Sequence, residues 1–110
     1  MMKEEIEEKD DIVYLRGVDY KAPEGTEPTK IVAAAVLQDG KVWAGRRHFE
    51  LIWQIKDDGG EYVSQDQQGF WTDDGRFVRR VAAMGIARES GQVVKGETIN
   101  PRELFSEDLW

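Results

Sequence analysis

The chain has 110 residues, with 22 acidic against 15 basic side chains, a formal net charge of −7 at neutral pH and no cysteine. A chain of this length holds one modest core, and the missing thiols exclude a disulfide framework, a thiolate metal site and a thiol nucleophile. The acidity argues against a general binder of duplex nucleic acid, which shows net positive charge or a basic stripe.

Residues 1–11, MMKEEIEEKDD, hold six acids and two lysines and contribute −4 of the charge. A run of this kind reads as a solvated acidic tail, and residues 12–110 as a single ligand-binding domain. IVYLRGVDY, residues 12–20, predicts a short strand, and KAPEGTEPTK, 21–30, a loop with two prolines and a glycine. IVAAAVLQ, Asp39-Gly40 and KVWAGR then predict a hairpin closed by a two-residue type I′ turn. That turn sets Gln38 against Lys41, Val36 against Trp43, Ala34 against Gly45 and Ala33 against Arg46. Ala33, Ala35, Leu37, Val42, Ala44 and Arg46 share one face; Val32, Ala34, Val36, Trp43 and Gly45 share the other. Both faces are largely apolar, so both require cover.

HFELIWQIKDD, 48–58, predicts a helix with His48, Leu51, Ile52 and Ile55 on one face, widened by Phe49 and Trp53 and ended by Gly59-Gly60. After a polar connector over 61–68, GFWTDDGRFV predicts a second hairpin turning at Asp73-Asp74-Gly75. RRVAAMGIARES, 79–90, predicts a second helix closed by Gly91, with Val78, Ala82 and Ile86 along its apolar face. The last segment, NPRELFSEDLW, is too apolar for a solvated tail and is expected to dock on its own domain or a neighbour's. The order predicts an α+β fold: a small antiparallel sheet of hairpins packed with two helices, in an oligomer. With no membrane-length apolar run and no charged-then-apolar leader, the expected setting is soluble and cytoplasmic.

Catalytic material is thin. His48 is the only histidine, no serine sits in a Gly-x-Ser-x-Gly elbow, and one histidine without cysteine is poor stock for zinc. Asp57-Asp58 and Asp73-Asp74 flank glycine-containing turns, where aspartate serves turn geometry, with magnesium binding as the other use. No metal and no cofactor are implied.

The basic residues carry more. Five of the eight arginines fall in two windows, Arg46-Arg47 and Arg76, Arg79, Arg80. Arg79 and Arg80 open a helix, where the partial positive charge disfavours cations; a bound anion explains them, as does surface pairing with Asp73, Asp74 or Glu89. Arg46 leaves the sheet beside small residues and suits phosphate. Phe70 and Trp71 point to opposite faces of one strand, so at least one is open for stacking, while Phe49 and Trp53 at helical spacing read as core. His48 reads as a hydrogen-bonded histidine at the helix start, or as a ligand contact.

KIVAAAVLQDGKVWAGRRHFELI, QDQQGFWTDDGRFVRRVAAMGIARESGQ and LFSEDLW, in that order over Lys30 to Trp110, resemble the first anti-Thoeris family of bacteriophage proteins. The resemblance implies a homo-oligomer built from dimers, acting in the host bacterial cytoplasm. It implies non-catalytic sequestration of glycocyclic ADP-ribose, in some members also of cyclic oligonucleotides. By motif it assigns ligand binding to Arg46, Arg47, His48, Phe70, Arg79 and Arg80, with Trp71 as the other candidate for the base. Two rival readings stand: an interaction module that blocks a host enzyme through its apolar tail and acidic N-terminus, and a small metal-dependent nucleotide hydrolase using Asp73 and Asp74.

Overall fold

The computed structural model describes residues 12–92, 102–106 and 109–110. Five strands form one antiparallel sheet: β1 (Leu15–Asp19), β2 (Ile31–Gln38), β3 (Lys41–Gly45), β4 (Gln68–Thr72) and β5 (Phe77–Arg79). Their spatial order is β1-β3-β2-β4-β5, so β2 is central. Helix α1 (His48–Asp57) connects β3 to β4, and α2 (Arg80–Glu89) follows β5 without a loop. The fold is therefore α+β, as expected.

The β2–β3 hairpin forms as the Asp-Gly turn requires. Asp39 and Gly40 have φ of 54° and 76°, the left-handed pair of a type I′ turn. Gln38 pairs with Lys41, Val36 with Trp43 and Ala34 with Gly45. The ladder stops there, so the expected Ala33–Arg46 pair does not form. Arg47 is already the extended residue before α1, and the chain leaves the sheet at Arg46 to reach it.

Period-two alternation divides the apolar residues between two clusters. Ala34, Val36, Trp43 and Phe70 face both helices, packing with Leu51 and Ile55 of α1 and Ala83, Met84 and Ala87 of α2. Ala33, Ala35, Val42 and Ala44 face the other way, covered by Ile12, Leu15, Tyr20, Trp71 and Phe77. A bulge between Ile31 and Ala33 puts Ile31 in the first cluster and Ala33 in the second. Glycine matters most at Gly69, where a Cβ would lie 2.3 Å from the Val78 carbonyl oxygen and 2.7 Å from the Phe77 ring. The absent side chain lets β5 close onto β4.

Three expectations about faces and ends are revised. The buried stripe of α2 is Ala83, Met84 and Ala87, with Ala82 exposed, rather than Val78, Ala82 and Ile86. Val78 belongs to β5, and the alanines of α2 allow close approach to the sheet. In α1, His48, Leu51 and Ile55 are buried as expected, but Phe49 and Trp53 are 57% and 61% exposed and do not widen the core face. The first strand begins at Leu15, three residues later than its hydrophobic run.

The connector before β4 is ordered by side-chain amides. Ser64 and Gln67 close a capping box over a 3-10 turn at Gln65–Gln67. Buried Gln38 donates from Nε2 to the carbonyls of Glu61 and Tyr62, each at 3.2 Å. The acidic tail assigned to residues 1–11 lies outside the described residues.

Candidate functional site

The open end of the sheet is where β2 begins, β3 ends and β4 ends. Beside it is a cavity of about 290 Å³ lined by Ile12, Lys30, Ile31, Val32, Arg46, Gln92 and Trp110. Two cations line this cavity, and among the described residues no Asp or Glu side chain does. Arg46 and Lys30 are both exposed and so accessible to a ligand arriving from solvent. Its apolar wall comes from Ile12, Val32 and Trp110. Gln92 fixes the rim: its Oε1 accepts from the Ile31 N–H at 2.8 Å and its Nε2 donates to the Ile31 carbonyl at 2.7 Å. The side-chain amide thus acts as a short extra strand against the first residue of β2.

Trp110 is delivered there by the C-terminal segment, which docks on the helical face. Leu104 and Ser106 are fully buried. The Leu104 N–H donates to the Arg80 carbonyl at 3.1 Å, and the Trp110 N–H to the Ser106 carbonyl at 2.9 Å. Both arginine windows serve this docking. The Arg47 guanidinium donates to the Trp110 main-chain oxygen. The Arg80 guanidinium lies over the Phe105 ring, 4.7 Å from its centroid, and donates to Gln68 Oε1 at 3.0 Å.

The residues singled out by sequence therefore fall into separate places. Arg46 lines the cavity, and Arg47 holds one of its walls from behind. His48 is buried at the first turn of α1, with Nε2 2.6 Å from the Gly69 carbonyl oxygen and its ring edge-on to Phe70 at 5.1 Å. Phe70 is wholly buried and turns no ring surface to solvent. Trp71, on the opposite face, is half-buried against Tyr20 at 5.8 Å. Arg79 and Arg80 line a second, smaller cavity of about 180 Å³ with Gln65, Gln68 and Val81. Asp66 and Glu103 share that lining and offset its charge. Arg79 donates from Nε to the Asp66 carbonyl at 3.2 Å, and its side chain does not cap α2. The structure does not gather Arg46 and the Arg79-Arg80 pair into one cavity.

Sequence reasoning passed over Lys30, Val32, Gln92 and Trp110. A signal existed for the first two, since the hairpin register already puts the start of β2 beside Arg46. None existed for Gln92, which meets β2 through a contact spanning 61 residues.

The turn acids have structural partners. Asp73 accepts from the Thr29 hydroxyl and, at 3.0 Å, from the Thr29 N–H, tying the 21–30 loop to the second hairpin. The Thr29 hydroxyl, with the backbone N–H groups around it, holds the Asp73 carboxyl below the usual carboxylate range against the effect of partial burial. For Asp74, desolvation acts upward, but the Thr72 hydroxyl and the Arg76 guanidinium, 2.6 Å away, prevail and lower it. Asp58, the residue that caps the end of α1, accepts from Nε and Nη2 of Arg16, at 3.1 and 2.8 Å, joining α1 to β1. Among the described residues no three His, Cys, Asp or Glu side chains are grouped to hold a metal ion, and no helix is long and apolar enough to cross a membrane.

Fold and site together define an antiparallel α+β protein with a basic, partly apolar cavity at the open end of its sheet. More particularly, the chain belongs to the family of the phage T4 y16D protein, whose model matches residues 30–110 and so takes in β2 through Trp110. The family is a bacteriophage one. No curated protein and no solved structure matches the chain.

Proposed function

We propose that the protein binds a small pyrophosphate-bearing nucleotide without transforming it, and so withdraws that nucleotide from a signalling pathway. The observation that carries this reading is the cavity lined by Lys30 and Arg46, with no Asp or Glu side chain among the described residues that line it and an apolar wall behind. Guanidinium and ammonium groups supply charge-assisted hydrogen bonds to phosphate oxygens, and the apolar side accommodates a ring. Its volume lies just below the usual range for ligand sites, which favours a single small nucleotide over an oligonucleotide. The anti-Thoeris resemblance gives the substrate class: a cyclic ADP-ribose isomer. A sponge needs prearranged donors and no acid, base or nucleophile. His48 bonded to Gly69, and Asp73 and Asp74 tied to Thr29, Thr72 and Arg76, accord with that.

Calorimetric titration with cyclic ADP-ribose isomers, with and without EDTA, tests the proposal. Binding that EDTA leaves unchanged and that Arg46→Ala weakens supports it. Absence of binding to every isomer refutes it, and turnover dependent on a divalent ion supports the hydrolase instead.

One observation favours a second use. Tyr14, Phe49 and Trp53 are exposed aromatics, the last two one turn apart on α1. Such a surface suits the homo-oligomer that the resemblance implies, or a protein partner. The described residues of the C-terminal segment dock on the chain's own helical face, which leaves the exposed aromatics of α1 as the better surface for the interaction reading.

A further inference from the structure

We infer that Trp110 is the ring-recognition element of the Lys30–Arg46 cavity, and that Arg47 acts as a positioning residue by holding Trp110 in place. This inference rests on the nucleotide-binding reading above. It adds that phosphate affinity and ring affinity come from separate parts of the chain.

Three observations meet here. Trp110 lines the cavity that Lys30 and Arg46 line, and is the only aromatic among the described residues that do so. It is half-buried and packs against both apolar clusters, so it bridges the two faces at the sheet's open end. Its backbone is fixed at two points, by its N–H to Ser106 and by its main-chain oxygen to the Arg47 guanidinium. A tryptophan fixed in advance presents a flat apolar surface at little cost in ordering, the condition under which stacking on a base contributes most. Arg47 immediately follows Arg46 and precedes α1, so one short segment sets both the phosphate grip and the wall facing it. Phe70, one of the two aromatics the sequence offered for the base, is wholly buried against His48 and supplies no such surface.

The test compares two probes, cyclic ADP-ribose and inorganic pyrophosphate, by calorimetry on the full chain. Variants are Arg46→Ala, Trp110→Leu, Trp110→Phe, Arg47→Met and Trp110→Leu/Arg47→Met. Leucine fills apolar space without a π face, and thermal melts confirm that each variant is folded. Trp110→Leu is expected to lose roughly ten- to a hundredfold in nucleotide affinity, with pyrophosphate affinity held within about twofold. Trp110→Phe recovers most of the loss. Arg47→Met lowers nucleotide affinity selectively, and the double variant is no weaker than Trp110→Leu alone, because Arg47 acts through Trp110. Arg46→Ala weakens both probes. If Trp110→Leu leaves the ratio of the two affinities unchanged while Arg46→Ala lowers both, the inference falls and the nucleotide reading stands. If the wild-type chain binds neither probe, the nucleotide reading itself falls. Additive losses in the double variant overturn the positioning role of Arg47.

Discussion

Replacing Gly69 by alanine tests the packing that sets the site's frame. The new methyl would lie 2.3 Å from the Val78 carbonyl oxygen, and 2.7 and 2.9 Å from two atoms of the Phe77 ring. The ring can swing, but the carbonyl belongs to β5, which is paired to β4 through Gly69–Arg79, Phe70–Val78 and Trp71–Phe77. Relief therefore requires β5 to move off β4, and α2 follows β5 directly. The Gly69 carbonyl also accepts from His48, so the same shift disturbs the seat of α1. Overpacking in a closed site costs about 1–3 kcal/mol, and weakening one buried hydrogen bond adds about 1 kcal/mol, for a total near 3 kcal/mol. At about 4–8 °C per kcal/mol for a domain of this size, the melting temperature should fall by roughly 12–24 °C. Calorimetry or circular dichroism melts read this directly. A melting temperature within about 3 °C of wild type would refute the close β4–β5 packing.

Four further outcomes are expected. Arg46→Ala should weaken binding of a cyclic ADP-ribose isomer by about 1.5–3 kcal/mol, the range of a charged hydrogen bond; unchanged affinity in a titration removes the cavity as the site. His48→Ala should destabilise the fold by about 1–3 kcal/mol in urea unfolding, because the buried Gly69 carbonyl loses its bond to the imidazole and Phe70 a ring contact. Asp73 and Asp74 have folded pKa values below those of the unfolded chain, so their stabilisation is complete above about pH 4 and fades as pH falls through the lower folded values. The urea midpoint of Asp73→Asn should thus lie below wild type at neutral pH, by a gap that narrows as pH falls below about 4, and a gap that stays constant in acid contradicts that linkage. Phe49→Ser/Trp53→Ser should lower the sedimentation coefficient if α1 is a subunit contact; an unchanged oligomer moves the contact elsewhere.

The local parts of the fold were legible because they rest on short-range rules. Asp39-Gly40 dictated the turn, its register and the separation of Ala33 and Ala35 from Ala34 and Val36. The face of α2 was misread because its buried stripe is mostly alanine: small residues packed close to a sheet give a weak hydrophobic signal, and Ile86 drew the stripe one position aside. Phe49 and Trp53 were misplaced because helical spacing shows that two residues share a face, without showing which way that face turns.

At the site, the arginine windows were visible but their uses were not. Arg47 and Arg80 engage a segment more than 20 residues further along, through Trp110 and Phe105, and no periodicity reports such a contact. The two positions that best define the cavity were readable in different degrees. Arg46 stood out as half of an unusual pair in an acidic chain. Trp110 was noted only as an apolar residue needing cover, and the fold supplies both the cover and the cavity it faces.

The most direct test of the central claim is to incubate the purified protein with a cyclic ADP-ribose isomer, remove unbound ligand, denature the complex by heat and analyse what is released. The account predicts stoichiometric recovery of the intact cyclic nucleotide, with Arg46→Ala retaining little of it. Recovery of a linear or hydrolysed product, or of no ligand at all from the wild-type chain, would contradict it.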